Sequence, residues 1–177
     1  VLPSGERAGR WRAGRMGGVR IELLEQGALF DRESPYGGSD EGLRFVAFSR
    51  AAAARCAELA PRVVVAHDWH AALALCALQT FWGVGAARAG GSVQVVHNNA
   101  HTGRFAPALF PATGLPAELF RTDGLEFHGD LCLLKGGLAW ADPIVAAWPS
   151  YAVELETPEQ GGGLEGLYRH RSDRLSG

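Results

Sequence analysis

Short apolar runs recur along this chain at intervals of 30 to 50 residues. They are residues 63–66, the three valines Val93, Val95 and Val96, and residues 144–147. Short runs of this kind are typical of strands in a parallel sheet that helices cover on both faces. A further β-rich segment, residues 19–24, follows a pair of glycines. We therefore predict three buried strands, preceded by a further strand over residues 19–24.

Apolar residues recur at helical spacing in the segments between these runs. The helical segments are residues 42–59, 71–82 and 131–140. Ser150 is placed to cap a further helix that runs through Leu155. Strands that alternate with helices are typical of βαβ units, so the sequence predicts an α/β domain built on a parallel sheet.

Polar residues follow two of the predicted buried strands. They are His67, Asp68, Trp69 and His70 after the first, and His97, Asn98, Asn99, His101 and Thr102 after the second. In parallel sheets, ligands bind in the loops beyond the carboxyl ends of the strands. The sequence therefore predicts a binding site at this edge of the sheet.

The first polar segment combines a carboxylate, an aromatic ring and two imidazoles. Sugar sites use such groups, because carboxylates accept hydrogen bonds from hydroxyls and aromatic rings pack on the apolar face of a pyranose. Alternatively, Asp68 caps the following helix and Trp69 fills the core. A metal site is disfavoured, because His67 and His70 are three residues apart across a strand-to-helix junction and share no helical face.

The second polar segment offers imidazoles and amides, each of which both donates and accepts hydrogen bonds. These groups suit the hydroxyls of a sugar. A lone histidine in such a place is more often part of the core, but four polar residues after a buried strand favour a site.

Two glycine-containing segments carry weaker signals. Asp123, Glu126 and His128 lie close together, and paired carboxylates are used in glycoside hydrolysis. A turn that bends at neighbouring glycines is the alternative. Residues 161–163 are three glycines that form either a flexible loop or a close approach to a ligand. They match neither GxGxxG nor a P-loop, so a dinucleotide or ATP site has no support.

Charge and composition exclude some classes of partner. The formal net charge of −2 gives no general basic field, so we expect neither nucleic acid nor a membrane as a partner. We predict that an arginine-rich, glycine-rich segment near the start is a solvated loop. Its basic residues are Arg7, Arg10, Arg12, Arg15 and Arg20.

Cysteine usage and hydropathy indicate a cytoplasmic protein. Cys56, Cys76 and Cys132 are far apart in apolar stretches, so we expect buried, reduced thiols rather than disulfides. No apolar run approaches the roughly 18 residues of a membrane span.

Several motifs, in order, resemble those of the bacterial glycogen synthases and plant starch synthases. They are ALFDRESPYG, AHDWHAAL, HNNAHTGRF, LPAELFRTDGLEFHGDLCLLKGGLAWAD, PSYAVEL and TPEQGGGLEGLYRHRSDRLSG. The resemblance implies a retaining glucosyltransferase that moves glucose from ADP-glucose to the non-reducing end of an α-1,4-glucan. It also implies the GT-B architecture of two facing Rossmann-like domains, with no metal and no cofactor besides the donor substrate.

The resemblance assigns roles to particular residues. His97 and Asp68 match catalytic positions that hold the transferred glucose and stabilise charge as the glycosidic bond breaks. Trp69 and Asn98 match substrate-binding positions beside them. Lys135 matches a lysine of the family for which we expect a structural role.

Four residues depart from the family pattern. Asn99 replaces a leucine, His101 an aromatic residue, Thr102 a glutamine and Trp148 a small serine. These changes fit either sequence drift or an altered specificity.

The resemblance also implies an incomplete domain. Residues 1–177 correspond to one Rossmann-like N-terminal domain without its first strand and helix, and Val1 to Pro3 read as the end of a strand. The family's Lys-Thr-Gly-Gly loop would precede Val1, and its C-terminal domain, with the groups that bind the diphosphate, would follow Gly177. We therefore expect no catalysis by this chain alone. The alternatives are a degenerate homologue that binds glucan or a partner, and an enzyme for another nucleotide sugar.

Overall fold

The structure is a computed structural model that describes residues 9–82 and 91–177. Val1 to Pro3 and Arg7 therefore lie outside the described residues. The strands are β1 (Arg10–Met16), β2 (Val19–Glu25), β3 (Val64–His67), β4 (Ser92–Val96), β5 (Arg104–Phe105), β6 (Glu126–Phe127), β7 (Asp130–Cys132), β8 (Ile144–Ala146) and β9 (Leu175–Ser176).

The helices occupy much of the remaining chain. They are α1 (Gly27–Phe30), α2 (Glu41–Leu59), α3 (Asp68–Trp82), α4 (Leu133–Trp140), α5 (Pro149–Leu155), α6 (Pro158–Gly161) and α7 (Glu165–His170). Short 3-10 helices span Pro107–Thr113, Ala117–Leu119 and Ser172–Arg174. Among the described residues, no helix is both long enough and apolar enough to cross a membrane.

A four-stranded parallel sheet forms the centre of the molecule, with the strand order β3-β4-β8-β9. Its first three strands are the predicted apolar runs, and the register pairs Val65 with Val93 and Val95 with Val145. The predicted parallel sheet is confirmed. Because all four strands are parallel, the polar segments after β3 and β4 lie at the same edge.

Helix α3 is the central helix of the core and packs against both α2 and α4. Residues 72–78 of this helix are all buried, so the helix is apolar around its whole circumference. It begins at Asp68, immediately after β3, three residues earlier than the helical spacing predicts. The polar segment after β3 is therefore a direct junction between a strand and a helix, with no connecting loop.

The arginine-rich segment near the start is a β-hairpin, so the prediction of a loop is wrong. Strand β1 pairs antiparallel with β2, and Arg10, Arg12 and Arg15 lie in β1. The side chains of β1 are almost all exposed. An exposed strand buries no apolar face, so the sequence carries no alternating hydrophobic pattern that would indicate it.

Two further boundaries differ from the prediction. Residues 130–132 form β7, which pairs with β5 and β6, and α4 begins only at Leu133. Ser150 does not cap α5, because this helix begins at Pro149 with Trp148 before it. Proline suits the first position of a helix, since its missing N–H would have no partner there.

The cysteines are free thiols in the core or at its margin. Cys76 and Cys132 are buried as predicted, and Cys56 is only partly buried. Burial raises the pKa of Cys76 to about 12. This thiol therefore stays protonated at neutral pH and is a poor nucleophile.

An ion pair joins the hairpin to α2. The guanidinium of Arg55 donates to both carboxylate oxygens of Glu22, with distances of 2.6 and 2.9 Å. Arg20 is a second ion-pair partner of the same carboxylate. The hydrogen bond from Arg55 lowers the pKa of Glu22 from 4.5 to about 2. A lowered folded-state pKa means that the pair contributes fully above the unfolded value and that its contribution is lost as the pH falls towards 2.

We predict that acid releases the hairpin from α2 before the sheet unfolds. Amide-exchange protection in β2, corrected for intrinsic rates, should fall between pH 5 and pH 3 relative to protection in β4. The variant Glu22→Gln should show low protection in β2 at both pH values. Equal pH dependence in the variant and the parent chain would contradict this account.

Candidate active site

Asp68 joins the ends of the neighbouring strands β3 and β4. Its carboxylate oxygen Oδ1 accepts a hydrogen bond of 2.8 Å from the backbone N–H of His97, so this bond crosses the sheet edge from β3 to β4. Asp68 also has a positive φ of 53°, a left-handed conformation that is unfavourable for a residue with a Cβ. Such strain in a non-glycine residue is concentrated at functional sites.

His67 and His97 form a pair of imidazoles at the same edge. Nδ1 of His67 lies 2.9 Å from Nε2 of His97, and the ring planes are only 15° apart. One ring nitrogen must donate and the other accept. Both residues are exposed, so the pair faces solvent with the orientation of each ring fixed by the other.

Trp69 lies mostly within the core. It is 5% exposed and packs edge-on against Phe45, with ring centroids 4.5 Å apart. Gly103 passes so close that a Cβ at this position would overlap the indole ring and lie 2.8 Å from Cδ2. Trp69 therefore fills the core with most of its surface and meets the neighbouring cavity with only a small part of it.

A cavity of about 670 Å³ opens beside these residues. This volume lies within the range of small-molecule sites. The lining residues are Tyr36, Glu41, Asp68, Trp69, His70, Asn98, Ala100, His101, Thr102, Gly103, Arg104 and Phe105. Both predicted polar segments therefore contribute to one cavity, and Tyr36 and Glu41 come from a part of the sequence that the prediction did not include.

Asn98 and His97 occupy different parts of the site. The side chain of Asn98 accepts a hydrogen bond of 2.9 Å from the N–H of Ala100, which tightens the turn after β4. Asn98 is exposed and lines the cavity. His97 is outside the cavity wall and stands next to it at the strand end.

His70 is a partly buried member of the cavity wall. Burial lowers the pKa of His70 from its ordinary value, and the nearby charges of Asp68 and Glu41 oppose this effect. Its Nε2 atom is buried without a hydrogen-bond partner. At neutral pH this imidazole is therefore uncharged.

Asn99 is buried, and every polar group of its side chain is paired. Its amide nitrogen donates to the carbonyls of Gln160 and Gly161 at 2.9 and 2.8 Å, and its oxygen accepts from the hydroxyl of Tyr168 at 2.7 Å. Its backbone N–H donates to the hydroxyl of Tyr151 at 2.8 Å. The asparagine side chain therefore ties the turn after β4 to α6 and α7, and the backbone N–H ties it to α5.

Trp148 adds an exposed aromatic ring beyond the end of β8. The ring is 54% exposed and lies 5.5 Å from the ring of Tyr151. The replacement of a small serine is accommodated because the indole faces solvent rather than the core. Sequence reasoning identified this substitution but not the orientation of the ring.

The glycine-containing segments form structural contacts. Glu126 accepts a hydrogen bond of 2.6 Å from the N–H of Gly129 and closes a turn. The amine of Lys135 donates to the carbonyls of Thr122 and Glu126, which gives this lysine the expected structural role. Gly163 lies against the ring of Phe127, where a Cβ would be 2.8 Å from Cζ.

No group of three or more histidine, cysteine, aspartate or glutamate side chains is arranged to hold a metal ion in residues 9–82 and 91–177. His67, Asp68 and His70 therefore do not form such a group. Their side chains take part in the imidazole pair, the hydrogen bond to His97 and the aromatic packing on Trp69.

Comparisons with known proteins agree with this fold. The model of the starch synthase catalytic domain matches residues 4–170. A glycogen synthase of Variovorax paradoxus (strain S110) is 40% identical over 185 residues, which cover 98% of this chain and 37% of the relative. A glycogen synthase of Novosphingobium aromaticivorans is 41% identical over 184 residues, which cover 98% of this chain and 38% of the relative.

A solved structure shares the fold. It is the catalytic domain of starch synthase IV from Arabidopsis thaliana bound to ADP and acarbose. The two superpose with a TM-score of 0.86 at 24% identity, over 94% of this chain and 36% of that one.

The parallel sheet and its helices are those of the Rossmann-like N-terminal half of a GT-B glycosyltransferase. The chain belongs to the starch synthase catalytic domain family. It spans a little over a third of the length of the curated relatives that it matches.

We predict that Gly103→Ala disturbs the site by displacing Trp69. The residue has a φ of +64°, so alanine costs about 1–2 kcal/mol in backbone strain. Overlap with the indole should add about 1–3 kcal/mol. Gly129→Ala is the control, because φ is +85° and no atom lies within 4 Å of its Cβ position. Urea unfolding should show the larger loss for Gly103→Ala, and equal losses would contradict the packing argument.

We also predict strong coupling between Asn99 and Tyr168. Asn99→Leu leaves the fully buried hydroxyl of Tyr168 without its partner, which costs about 1–3 kcal/mol. The double variant Asn99→Leu/Tyr168→Phe removes that hydroxyl and should be less destabilised than the sum of the single variants. Free energies of unfolding in urea measure this coupling, and additive losses would show that the buried network has no cooperative role.

Proposed function

We propose that this chain is part of an α-glucan synthase that transfers glucose from ADP-glucose to the 4-hydroxyl at the non-reducing end of an α-1,4-glucan, with retention. The observation that carries the proposal is the hydrogen bond between the Asp68 carboxylate and the His97 N–H at the carboxyl edge of the sheet. Relatives named glycogen synthase and the starch synthase structure bound to ADP and acarbose support it.

Asp68 and His97 are the proposed catalytic residues. The bond to His97 fixes Oδ1 of Asp68 and leaves Oδ2 to accept a hydrogen bond from a glucose hydroxyl. The imidazole of His97 is held by His67 beside the same position. As the bond between glucose and the diphosphate breaks, positive charge develops at the anomeric carbon. A carboxylate and imidazole that are already in place stabilise this charge without further reorganisation.

Asn98 and Trp69 are the proposed substrate-binding residues. The exposed amide of Asn98 retains its NH₂ group for a sugar hydroxyl, since its oxygen is used by the turn. Trp69 supports the cavity wall through Gly103 and offers little free surface for stacking. We therefore assign the sugar contact mainly to Asn98 and the shape of the cavity to Trp69.

The leaving diphosphate needs cationic groups, and among the described residues that line the cavity the one lysine or arginine is Arg104. Arg104 lines the cavity, but its guanidinium donates to Asp130 at 2.8 Å. We propose that the C-terminal domain of the enzyme supplies the cations and that residues 1–177 alone do not catalyse transfer. The reaction uses no metal and no cofactor besides the donor, and we place the enzyme in the cytoplasm, without a nucleic-acid or membrane partner.

A second candidate function is glucan binding without catalysis. The residues His101 and Thr102 favour it, because both line the cavity, and Trp148 adds an exposed aromatic ring beyond the end of β8. Calorimetry separates the two functions. A non-catalytic glucan-binding domain should bind maltooligosaccharide tightly by itself, whereas the synthase domain should need the facing domain to bind ADP-glucose.

We predict that the chain restores transfer when it replaces the matching segment of the Variovorax paradoxus glycogen synthase. Transfer of labelled glucose from ADP-glucose to maltooligosaccharide should occur in this chimera. His97→Ala in the chimera should lower kcat/KM by about 10²–10³, because the positioned imidazole is lost while the backbone N–H that binds Asp68 remains.

The control is His170→Ala, which removes an exposed imidazole at the end of α7. It should leave kcat/KM unchanged. A folded chimera without transfer, or one in which His97→Ala is as active as His170→Ala, would refute the assignment of the site.

A further inference from the structure

Gln94 is a polar side chain in the core of the sheet. It lies in the middle of β4 and is completely buried. Its amide nitrogen donates to the backbone carbonyl of Asp68 at 3.2 Å and to that of Val95 at 3.0 Å. Both neighbours are acceptors, so the nitrogen rather than the oxygen must face them.

The amide oxygen of Gln94 has no hydrogen-bond partner. Burial of an unpaired carbonyl costs free energy that an apolar side chain of the same shape would avoid. The neighbouring helix nevertheless leaves room for the amide, because a Cβ on Gly137 of α4 would overlap the oxygen and lie 2.9 Å from Cδ. The core thus accommodates the Gln94 amide, although an apolar side chain of the same shape would pack there without an unpaired oxygen.

The amide of Gln94 contacts Asp68, the residue of the site that has a strained backbone conformation. Asp68 has a φ of +53°. It accepts two hydrogen bonds, one from a residue of β4 and one from the residue directly after β4. The side chain of Gln94 binds its backbone carbonyl, and the backbone N–H of His97 binds its carboxylate. These two hydrogen bonds fix both the main chain and the side chain of Asp68 against the same strand.

We propose that Gln94 is a positioning residue that holds Asp68 in its left-handed conformation and so directs the carboxylate to the sugar site. It acts only through Asp68 and does not touch the substrate. Its effect on catalysis rests on the proposed function, whereas its effect on the conformation of Asp68 does not. Removal of the Gln94 amide should leave the fold equally stable or more stable, because a buried oxygen without a partner is lost. The same change should loosen the conformation of Asp68, because the donor to its backbone carbonyl is lost.

The test uses Gln94→Met, which keeps the length of the side chain and removes both the amide donor and the unpaired oxygen. In the 177-residue chain the unfolding midpoint should stay the same or rise. Exchange of the His97 amide proton should accelerate by about tenfold, because its acceptor on Asp68 is no longer held in place. In the Variovorax chimera, kcat should fall by about 10–100-fold while KM for the glucan changes by less than about twofold.

Two further variants make the test specific. Leu75→Met is the control, because it alters another buried side chain of similar volume and should change neither the exchange rate nor kcat. Gly137→Ala leaves residue 94 unchanged but pushes its amide away from Asp68. It should reproduce the faster exchange at His97.

A lower unfolding midpoint with an unchanged exchange rate and unchanged kcat would overturn the proposal and make Gln94 a structural residue only. Failure of Gln94→Met to fold would overturn it as well, because the amide would then be a requirement of the fold. An inactive parent chimera would count against the proposed function, while the exchange rate of the His97 amide would still decide the role of Gln94.

Discussion

The hydrogen bond from the His97 N–H to the Asp68 carboxylate is the contact on which the site depends. It joins the ends of β3 and β4, and Asp68 makes it from a left-handed conformation at the point where β3 turns directly into α3. The surrounding structure has to compensate for the strain of this conformation. It does so through the buried helix α3, whose packing against α2 and α4 fixes the start of the helix, and through Gln94 beneath Asp68.

Two networks then give the turn after β4 a defined shape. On one side, Gly103 allows the turn to pass against the indole of Trp69, which is itself packed on Phe45. On the other side, Asn99 binds groups from three helices that are more than 50 residues away in the sequence. Asn98 and His101 project from this fixed turn towards the cavity. The turn is thus held by a buried polar network on one side and by aromatic packing on the other.

The apolar runs predict the parallel sheet, and the polar residues after them predict the edge of the sheet at which the cavity lies. Both predictions were possible because they depend only on short segments of the sequence. The partners of Asn99 and Gln94 were not predictable, since Tyr168 and Gly137 approach them only through the folding of distant segments. The strand predicted over residues 19–24 is confirmed as β2, whereas β1 was missed for a different reason. Strand β1 is almost entirely exposed and has no apolar face, so its pairing with β2 is what defines it.

A crystal structure of the Variovorax chimera with ADP-glucose tests the central claim most directly. The account predicts that a glucose hydroxyl lies about 2.6–3.2 Å from Oδ2 of Asp68, with the His97 ring beside the anomeric carbon and the bond from the His97 N–H to Oδ1 retained. Glucose bound elsewhere, for example against the exposed ring of Trp148 with Asp68 free of any sugar contact, would contradict it.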